Sequence, residues 1–379
     1  MKRFRADAAS QSLARGFDWP LLGAAIALMT YSVIVLGNAT ADDVEGNPHF
    51  YVIRQSIFAV VGVFLLFAVS RIDYTRLREY RTQIYAFLIA SNVFVLITGT
   101  ATKGSRRWID VGFFQVQPSE LGKVLLTITL AAFIADRAHD RDSKGILLPV
   151  LGLASIPAAL VFLQPDLGTA LVYGAITLSI LFIAGIPWQQ MTALLVAVVM
   201  IATAVLWAAP AVGVNVLKEY QVQRLTSFLN PNADPGGQGF QQKQGEIAIG
   251  SGERVGRGAE NATQTQLNFI PEHHTDFVFA VVGESYGFAG AALVMTLFAL
   301  LIWRGLRILA LARDQFGALI AAGVVAILMF QVFVNVGMNV GIMPITGVTL
   351  PLMSYGGASV LSTFIALGLL QSVAVHSRR

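Results

Sequence analysis

The segment PEHHTDF (residues 271–277) sets two carboxylates and two imidazoles, Glu272, His273, His274 and Asp276, close together just before a long apolar run. Asp276 should therefore fall near a helix N-terminus, where aligned N–H groups stabilise a carboxylate. One reading is a helix cap. The other is a general base, because a carboxylate at the mouth of a polar site can take a proton from a hydroxyl. A metal centre is the weaker alternative, since no zinc-motif spacing is present.

Other ionisable residues lie at or inside apolar stretches, where charge is costly and marks a functional candidate. In QPSELGK (117–123), Glu120 and Lys123 are three apart and share one helix face. They form either an ion pair that steadies the helices or a site-facing pair that orients a catalytic group or a phosphate. In KGSRRWIDVG (103–112), Lys103, Arg106 and Arg107 surround Trp108. Trp and Arg both favour the membrane interface, so an anchor is the plain reading. A guanidinium also grips two oxygens of a diphosphate at once, and Arg224 adds a further cation. In QPDLGT (164–169), Pro165 breaks one helix and Asp166 can cap the next, a role that outweighs catalysis there. The stretch GSGERVGRG (250–258) resembles a phosphate cradle only loosely. With no Walker spacing and no preceding strand, a nucleotide site is not expected.

Helices must position these residues. The 379 residues are 55% hydrophobic and 13% charged, with a mean hydropathy of +0.66. A soluble domain carries about 25% charged residues, so this chain has too few to cover a water-facing surface. Apolar runs occupy 20–36, 50–70, 84–98, 119–135, 146–163, 169–185, 191–209, 277–302, 316–336 and 358–375. Most approach the ~20 residues a helix needs to cross the hydrocarbon core. They are continuous rather than alternating, which predicts helices and not barrel strands. The expected fold is an all-α polytopic membrane protein of about ten transmembrane helices, forming one domain over 1–379. It has a cytoplasmic tail over about 1–19 and a large extracytoplasmic loop over 211–275, between helices seven and eight. That loop is expected to be ordered, with short helices on the membrane.

If the N-terminus is cytoplasmic, most of the 26 Lys and Arg residues fall on the inner side, in clusters at 2–15, 71–81, 137–144, 304–313 and 378–379. The positive-inside rule then puts both termini in the cytoplasm. Apart from Lys123, which lies within a span, the remaining basic residues gather on the outer side, and that clustering needs a reason. Ala39-Thr40-Ala41 looks like a signal-peptidase site, but the first run is long for a signal core and is expected to remain a span. Zero cysteines exclude disulfides and thiolate metal sites. The segment 335–359 interrupts apolar sequence with Gly, Pro, Asn and Ser, as expected for the wall of a polar cleft.

Taken together, GSRRWIDVG, QPSELGK, QPDLGT, RLTSFLNPNADPGGQGFQ, IAIGSG, PEHHTDF and PITGVTLPLMSYGG occur in the order found in the SEDS family (shape, elongation, division and sporulation). The resemblance covers nearly the whole chain. TQTQLNFIPE and Pro344-Ile345-Thr346-Gly347 look like the RodA-like elongation branch; FtsW-like chains usually carry Lys-Gly at the latter site. The resemblance implies a ten-helix peptidoglycan glycosyltransferase that uses lipid II in the bacterial inner membrane. It also implies a class B penicillin-binding protein as partner, with MreC and MreD as neighbours. The family's essential acid falls on Asp276, its functional Glu and Lys on Glu120 and Lys123, and its loop Trp on Trp108. Two positions depart from the family pattern: Glu284-Ser285 stands for Glu-Glu, and Gly250-Ser251-Gly252-Glu253 for GSGG.

The expected chemistry is attack by an acceptor hydroxyl, deprotonated by Asp276, on a donor that leaves as undecaprenyl diphosphate. Lys103, Arg106, Arg107 and Arg224 are the expected diphosphate ligands, and Asp166 and His274 the further substrate contacts. No cofactor is certain, and a divalent cation, Mg²⁺ or Mn²⁺, is a candidate. A lipid II flippase is the main alternative, and a non-catalytic scaffold the second. Nucleic acid is not an expected partner.

Overall fold

The computed structural model describes residues 16–41, 43–44, 46–102, 105–110, 112, 114–137, 143–208, 219–229, 237–267 and 269–377. Lys103 lies outside them, as do the side chain of Arg106 and most of the N-terminal tail.

Helices α1 (Trp19–Ala39), α2 (Phe50–Arg71) and α3 (Arg81–Thr98) lead to a small antiparallel sheet of β1 (Thr100–Thr102), β2 (Ser105–Asp110) and β3 (Gln115–Val116). Helices α4 (Pro118–Asp136), α5 (Ser143–Leu163), α6 (Leu167–Ile183) and α7 (Trp188–Thr203) follow. The described part of the large loop forms α8 (Glu219–Leu229), α9 (Gln238–Ser251) and the short α10 (Thr263–Gln266). Helices α11 (Val278–Ala310), α12 (Gln315–Asn339) and α13 (Gly357–Ser377) complete the bundle. Among the described residues, nine helices are long and apolar enough to cross a membrane, and the 17-residue α6 is a shorter apolar one. The ten expected spans therefore correspond to ten helices, and the chain is an integral membrane protein.

Local sequence sets the helix starts. Asp18, Asp166 and Asp314 cap α1, α6 and α12, accepting from the N–H of Leu21, Thr169 and Gly317 respectively. Pro20 and Pro118 sit in first turns, where a missing N–H costs nothing. Helices α4, α12 and α13 are largely buried and form the centre. Close packing of α4 depends on Gly122, where a Cβ would lie 2.0 Å from the Tyr173 hydroxyl of α6. Helix α7 is the opposite case, with no buried residue.

Two local features were not expected. The sheet pairs Thr100 with Trp108 and Ile109 with Val116, in a segment that hydropathy leaves irregular. Helix α11 is broken at Gly287, whose φ of 63° is open to glycine at little cost. The Gly-rich stretch docks on this break: Gly258 N–H donates to Ser285 O (3.1 Å) and Phe288 N–H to Glu253 O (2.9 Å). Ser285 and Glu253, the two positions set apart in the comparison of motifs above, meet here. Glu284 is fully buried and accepts from the backbone of Gln264 and Thr265 and from the Thr265 hydroxyl, holding α10.

Candidate active site

Alternating helices bring the ends of α1, α3, α5, α7 and α12 and the starts of α2, α4, α6, α11 and α13 to one face of the bundle. The opposite face holds the start of α1 against the end of α13, through a pair of hydrogen bonds between Asp18 and Gln371. A cleft of about 660 Å³ opens on the first face. Of the expected site residues, Arg107, Trp108, Glu120, Asp166, Arg224, His274 and Asp276 line it. Residues nearly 170 positions apart in sequence, such as Arg107 and Asp276, thus share one cavity.

Asp276 is held by its backbone. Its carbonyl accepts from the side-chain amides of Asn335 and Asn339, both at 3.0 Å. These residues are four apart on α12 and fully buried. Asn335 also donates to Val348 O (2.8 Å), and the Asn339 side-chain oxygen accepts from Ala280 N (3.0 Å). The turn is latched to the segment before α13: Ser354 Oγ donates to Thr275 O (2.6 Å) and Tyr355 N to His274 O (2.9 Å). The helix-cap reading of Asp276 does not hold, because the N-cap of α11 is Phe277 and the first-turn N–H of Ala280 is met by Asn339 Oδ1 instead. The Asp276 carboxylate faces Gly347 instead: a Cβ there would lie 3.6 Å from Oδ2 and 4.0 Å from Arg224 Nη1. Gly347 has φ 73°, a left-handed conformation open to glycine at little cost, and its missing side chain leaves both groups room. Arg224 is steered there by donating to Thr346 O at 3.1 Å.

Asp166 performs the expected capping and more. While Oδ1 accepts from Thr169 N, Oδ2 accepts from Gln117 Nε2 (2.7 Å), and Arg107 Nη1 lies 3.6 Å from Oδ1. A buried cap therefore also anchors a cleft guanidinium. Glu120 lines the cleft from the first turn of α4, and Lys123 stands one turn deeper with Nζ 2.6 Å from Oε2. Lys123 does not line the cleft; it holds the acid that does.

The sequence did not single out Tyr51, Arg54, Gln331 or Tyr355, all of which line the cavity. Arg54 and Gln331 carried a usable signal, being polar residues inside apolar runs. Tyr51 and Tyr355 did not, because aromatic residues are ordinary at helix ends. The Tyr51 ring lies 4.8 Å from both His274 and Tyr355, edge-on to the latter. Burial raises the Tyr355 phenol above its ordinary value and the neighbouring Arg54 opposes this, so it stays a neutral donor at pH 7.

A carboxylate placed by its backbone, beside guanidinium groups and flat rings in a cleft at one end of a membrane bundle, suits transfer between a hydroxyl and an anionic leaving group. Comparisons with known proteins agree. The FtsW/RodA/SpoVE family model, described as cell cycle protein, matches residues 19–379. The chain is 36% identical over 357 residues to peptidoglycan glycosyltransferase MrdB of Escherichia coli K12, covering 93% of this chain and 92% of that one. It is 37% identical over 373 residues to a probable peptidoglycan glycosyltransferase FtsW of Nitrosococcus halophilus, covering 95% and 93%. A solved structure from a study of how a peptidoglycan synthase complex coordinates polymerization and crosslinking superposes with a TM-score of 0.81 at 31% identity, over 96% of this chain and 99% of that one. Motif order, helix arrangement and these likenesses converge: the chain belongs to the FtsW/RodA/SpoVE family, the SEDS family of cell-wall proteins.

Proposed function

We propose that this chain, a peptidoglycan glycosyltransferase, polymerises lipid II-linked disaccharide units into glycan strands for cell elongation and shape, releasing undecaprenyl diphosphate. One observation carries the reading: a carboxylate gripped by its backbone opens on a cleft lined by Arg54, Arg107 and Arg224. Asp276 takes the proton of the acceptor's 4-hydroxyl as that oxygen bonds to the donor's anomeric carbon. The bond from that carbon to the diphosphate breaks, and its electron pair leaves with the diphosphate. The proton then passes from Asp276 to water. One displacement with one base inverts the anomeric centre, by analogy with inverting glycosidases.

A diphosphate leaves readily, so the site must supply positive charge rather than a strong acid. Arg107, placed by Asp166, and Arg224, placed by Thr346 O, supply it, and Lys103 and Arg106 join from the same outer segment by sequence. Glu120, fixed by Lys123, orients the polar end of the substrate. Trp108, Tyr51, His274 and Tyr355 offer flat faces to sugar C–H groups, and the lipid tails lie between spans. A bound Mg²⁺ or Mn²⁺ would add positive charge for the diphosphate. Glu272 and Asp110 are lining carboxylates with the hard oxygen donors it prefers.

The protein works in the bacterial inner membrane, with both termini cytoplasmic and the cleft toward the periplasm. A class B penicillin-binding protein crosslinks the strands as its partner, with MreC and MreD nearby. Support for the partner comes from the related synthase complex, whose subject is polymerization with crosslinking. A lipid II flippase would need a polar path to the far face. Below Lys123 the buried residues of α4 are uncharged, and its two buried hydroxyls, Thr127 and Thr129, donate to carbonyls of their own helix, which favours chemistry at one face.

The test is polymerisation by purified protein with its class B partner, lipid II and Mg²⁺, free of other glycosyltransferases. Asp276→Asn should fold and bind lipid II yet lose about 10²–10⁴-fold in rate, the usual contribution of a general base. Substantial polymer from that variant would remove Asp276 as the base. No polymer from a folded, lipid II-binding wild-type complex would favour transport, to be measured in liposomes.

A further inference from the structure

The turn that carries Asp276 holds a second cluster, of which the proposed reaction uses only the ring face of His274. Asp43, in the loop between α1 and α2, meets His273 and His274. His273 Nε2 lies 3.1 Å from Asp43 Oδ2, and His274 Nδ1 lies 3.9 Å from the same oxygen. One ligand atom from each residue falls within 4.8 Å of the other two. His273 is 2% exposed, and its Nε2 makes no hydrogen bond.

The tautomer of His273 makes this arrangement informative. Its Nδ1 sits 3.0 Å from the carbonyl oxygen of Ile270, an acceptor only, so Nδ1 carries the hydrogen. In the neutral ring Nε2 then presents a lone pair to a carboxylate inside the protein. Two electron-rich atoms at that distance require positive charge between them. A proton on Nε2 would serve His273 alone. His274 Nδ1, 3.9 Å from Asp43 Oδ2, lies beyond hydrogen-bond reach of it. A metal ion answers all three groups at once. The Ile270 carbonyl is also the kind of outer partner that fixes the orientation of a ligating imidazole.

We propose that Asp43, His273 and His274 form a binding site for a divalent first-row transition ion, with Zn²⁺ the ion best suited to its two imidazoles and one carboxylate. Zn–N and Zn–O bonds of about 2.0–2.2 Å place tetrahedral ligand atoms roughly 3.3 Å apart, so small side-chain shifts close the site. The hard Mg²⁺ ion prefers oxygen-only octahedral sites and is not its natural occupant. The ion would pin the α1–α2 loop to the turn whose next residues are Thr275 and Asp276. It is a positioning clamp at the rim of the cleft, separate from any ion that accompanies the diphosphate.

The test uses the full chain in detergent, with any histidine tag removed, stripped by a chelator and titrated with Zn²⁺ alone. The absence of cysteine means that no thiolate competes. Calorimetry should give one tight ion per chain that excess Mg²⁺ does not displace, and thermal unfolding should shift upward with Zn²⁺. Co²⁺ in its place should give the strong visible absorption of a tetrahedral site. His273→Gln and the isosteric Asp43→Asn should each weaken binding by about 100-fold or more, since loss of outer contacts alone costs 10–100-fold. Absence of stoichiometric Zn²⁺ binding by the folded wild type would overturn the site in favour of an imidazolium–carboxylate pair. Binding left unchanged by both variants would assign the ion elsewhere and also overturn it. These readouts need no glycosyltransferase assay and stand apart from the activity proposed for Asp276.

Discussion

Two carboxylates are buried against cations at opposite ends of the bundle. At the end that holds the described termini, Asp18 meets Arg304, whose Nε lies 2.9 Å from Oδ1 while Nη2 donates to Oδ2. Leu21 N donates to the same carboxylate, and Gln371 closes the backbone of Asp18 from both sides. At the cleft end, Glu120 meets Lys123 through Oε2, with Ser362 Oγ at 3.4 Å, and its residue borders the cavity. The first acid is enclosed by fixed partners, and the second keeps a side toward incoming ligand. Burial of an ion pair by itself therefore does not mark function, and it is weak evidence even for stability. What separates the two is whether acceptor capacity remains and faces open space.

The largest expected effect lies at the enclosed end. Arg304→Met should cost about 3–5 kcal/mol of stability by stranding Asp18, measured by unfolding in detergent, with little change in polymer made per folded molecule. Lys123→Met should cost less, about 1–3 kcal/mol, because Glu120 can take water from the cleft, yet it should nearly abolish polymerisation. The double variant Glu120→Gln/Lys123→Met should recover stability and not activity. Equal stability losses for Arg304→Met and Lys123→Met, or recovery of activity in the double variant, would break the comparison.

The remaining variants sharpen it. Asn339→Leu removes one of two donors to the Asp276 carbonyl, and a reacting group displaced by about 1 Å costs on the order of 10²-fold in rate. A loss confined to stability would show that the amide merely packs. Gly347→Ala should cost about 1–2 kcal/mol, because φ 73° suits glycine, and should lower the rate by disturbing the approach of Asp276 and Arg224. The smallest change is a gain. Glu253 has φ 47°, a left-handed conformation that favours glycine, so Glu253→Gly should add roughly 0.5–1 kcal/mol of stability. It should leave polymerisation unchanged, because that residue borders the α11 break and not the cleft.

The helices were legible because lipid imposes a length and a composition that any apolar run reveals. The motif acids and bases were legible as candidates, and their convergence follows from helix alternation once ten spans are placed. Arg54 was read as one more outer charge, although its position four residues after Phe50 put it inside a span. The sheet over 100–116 gave no hydropathy signal, being short and polar. The role of Asn339 was hidden for another reason. An amide on α12 looks like cleft lining until the fold shows it turned toward a carbonyl in the turn before α11, and pairing across 63 residues is a tertiary event.

That grip on a carbonyl separates two kinds of information at position 276. The address is written in main-chain atoms that every residue shares, and the reactivity is written in a side chain that the grip does not touch. Glutamate, asparagine or serine at this position would be delivered to the same doorstep and differ only in what they do there. Position 276 is thus a built-in socket for interrogating the reaction, in which a graded series of replacement groups can be read as chemistry with little contribution from misplacement.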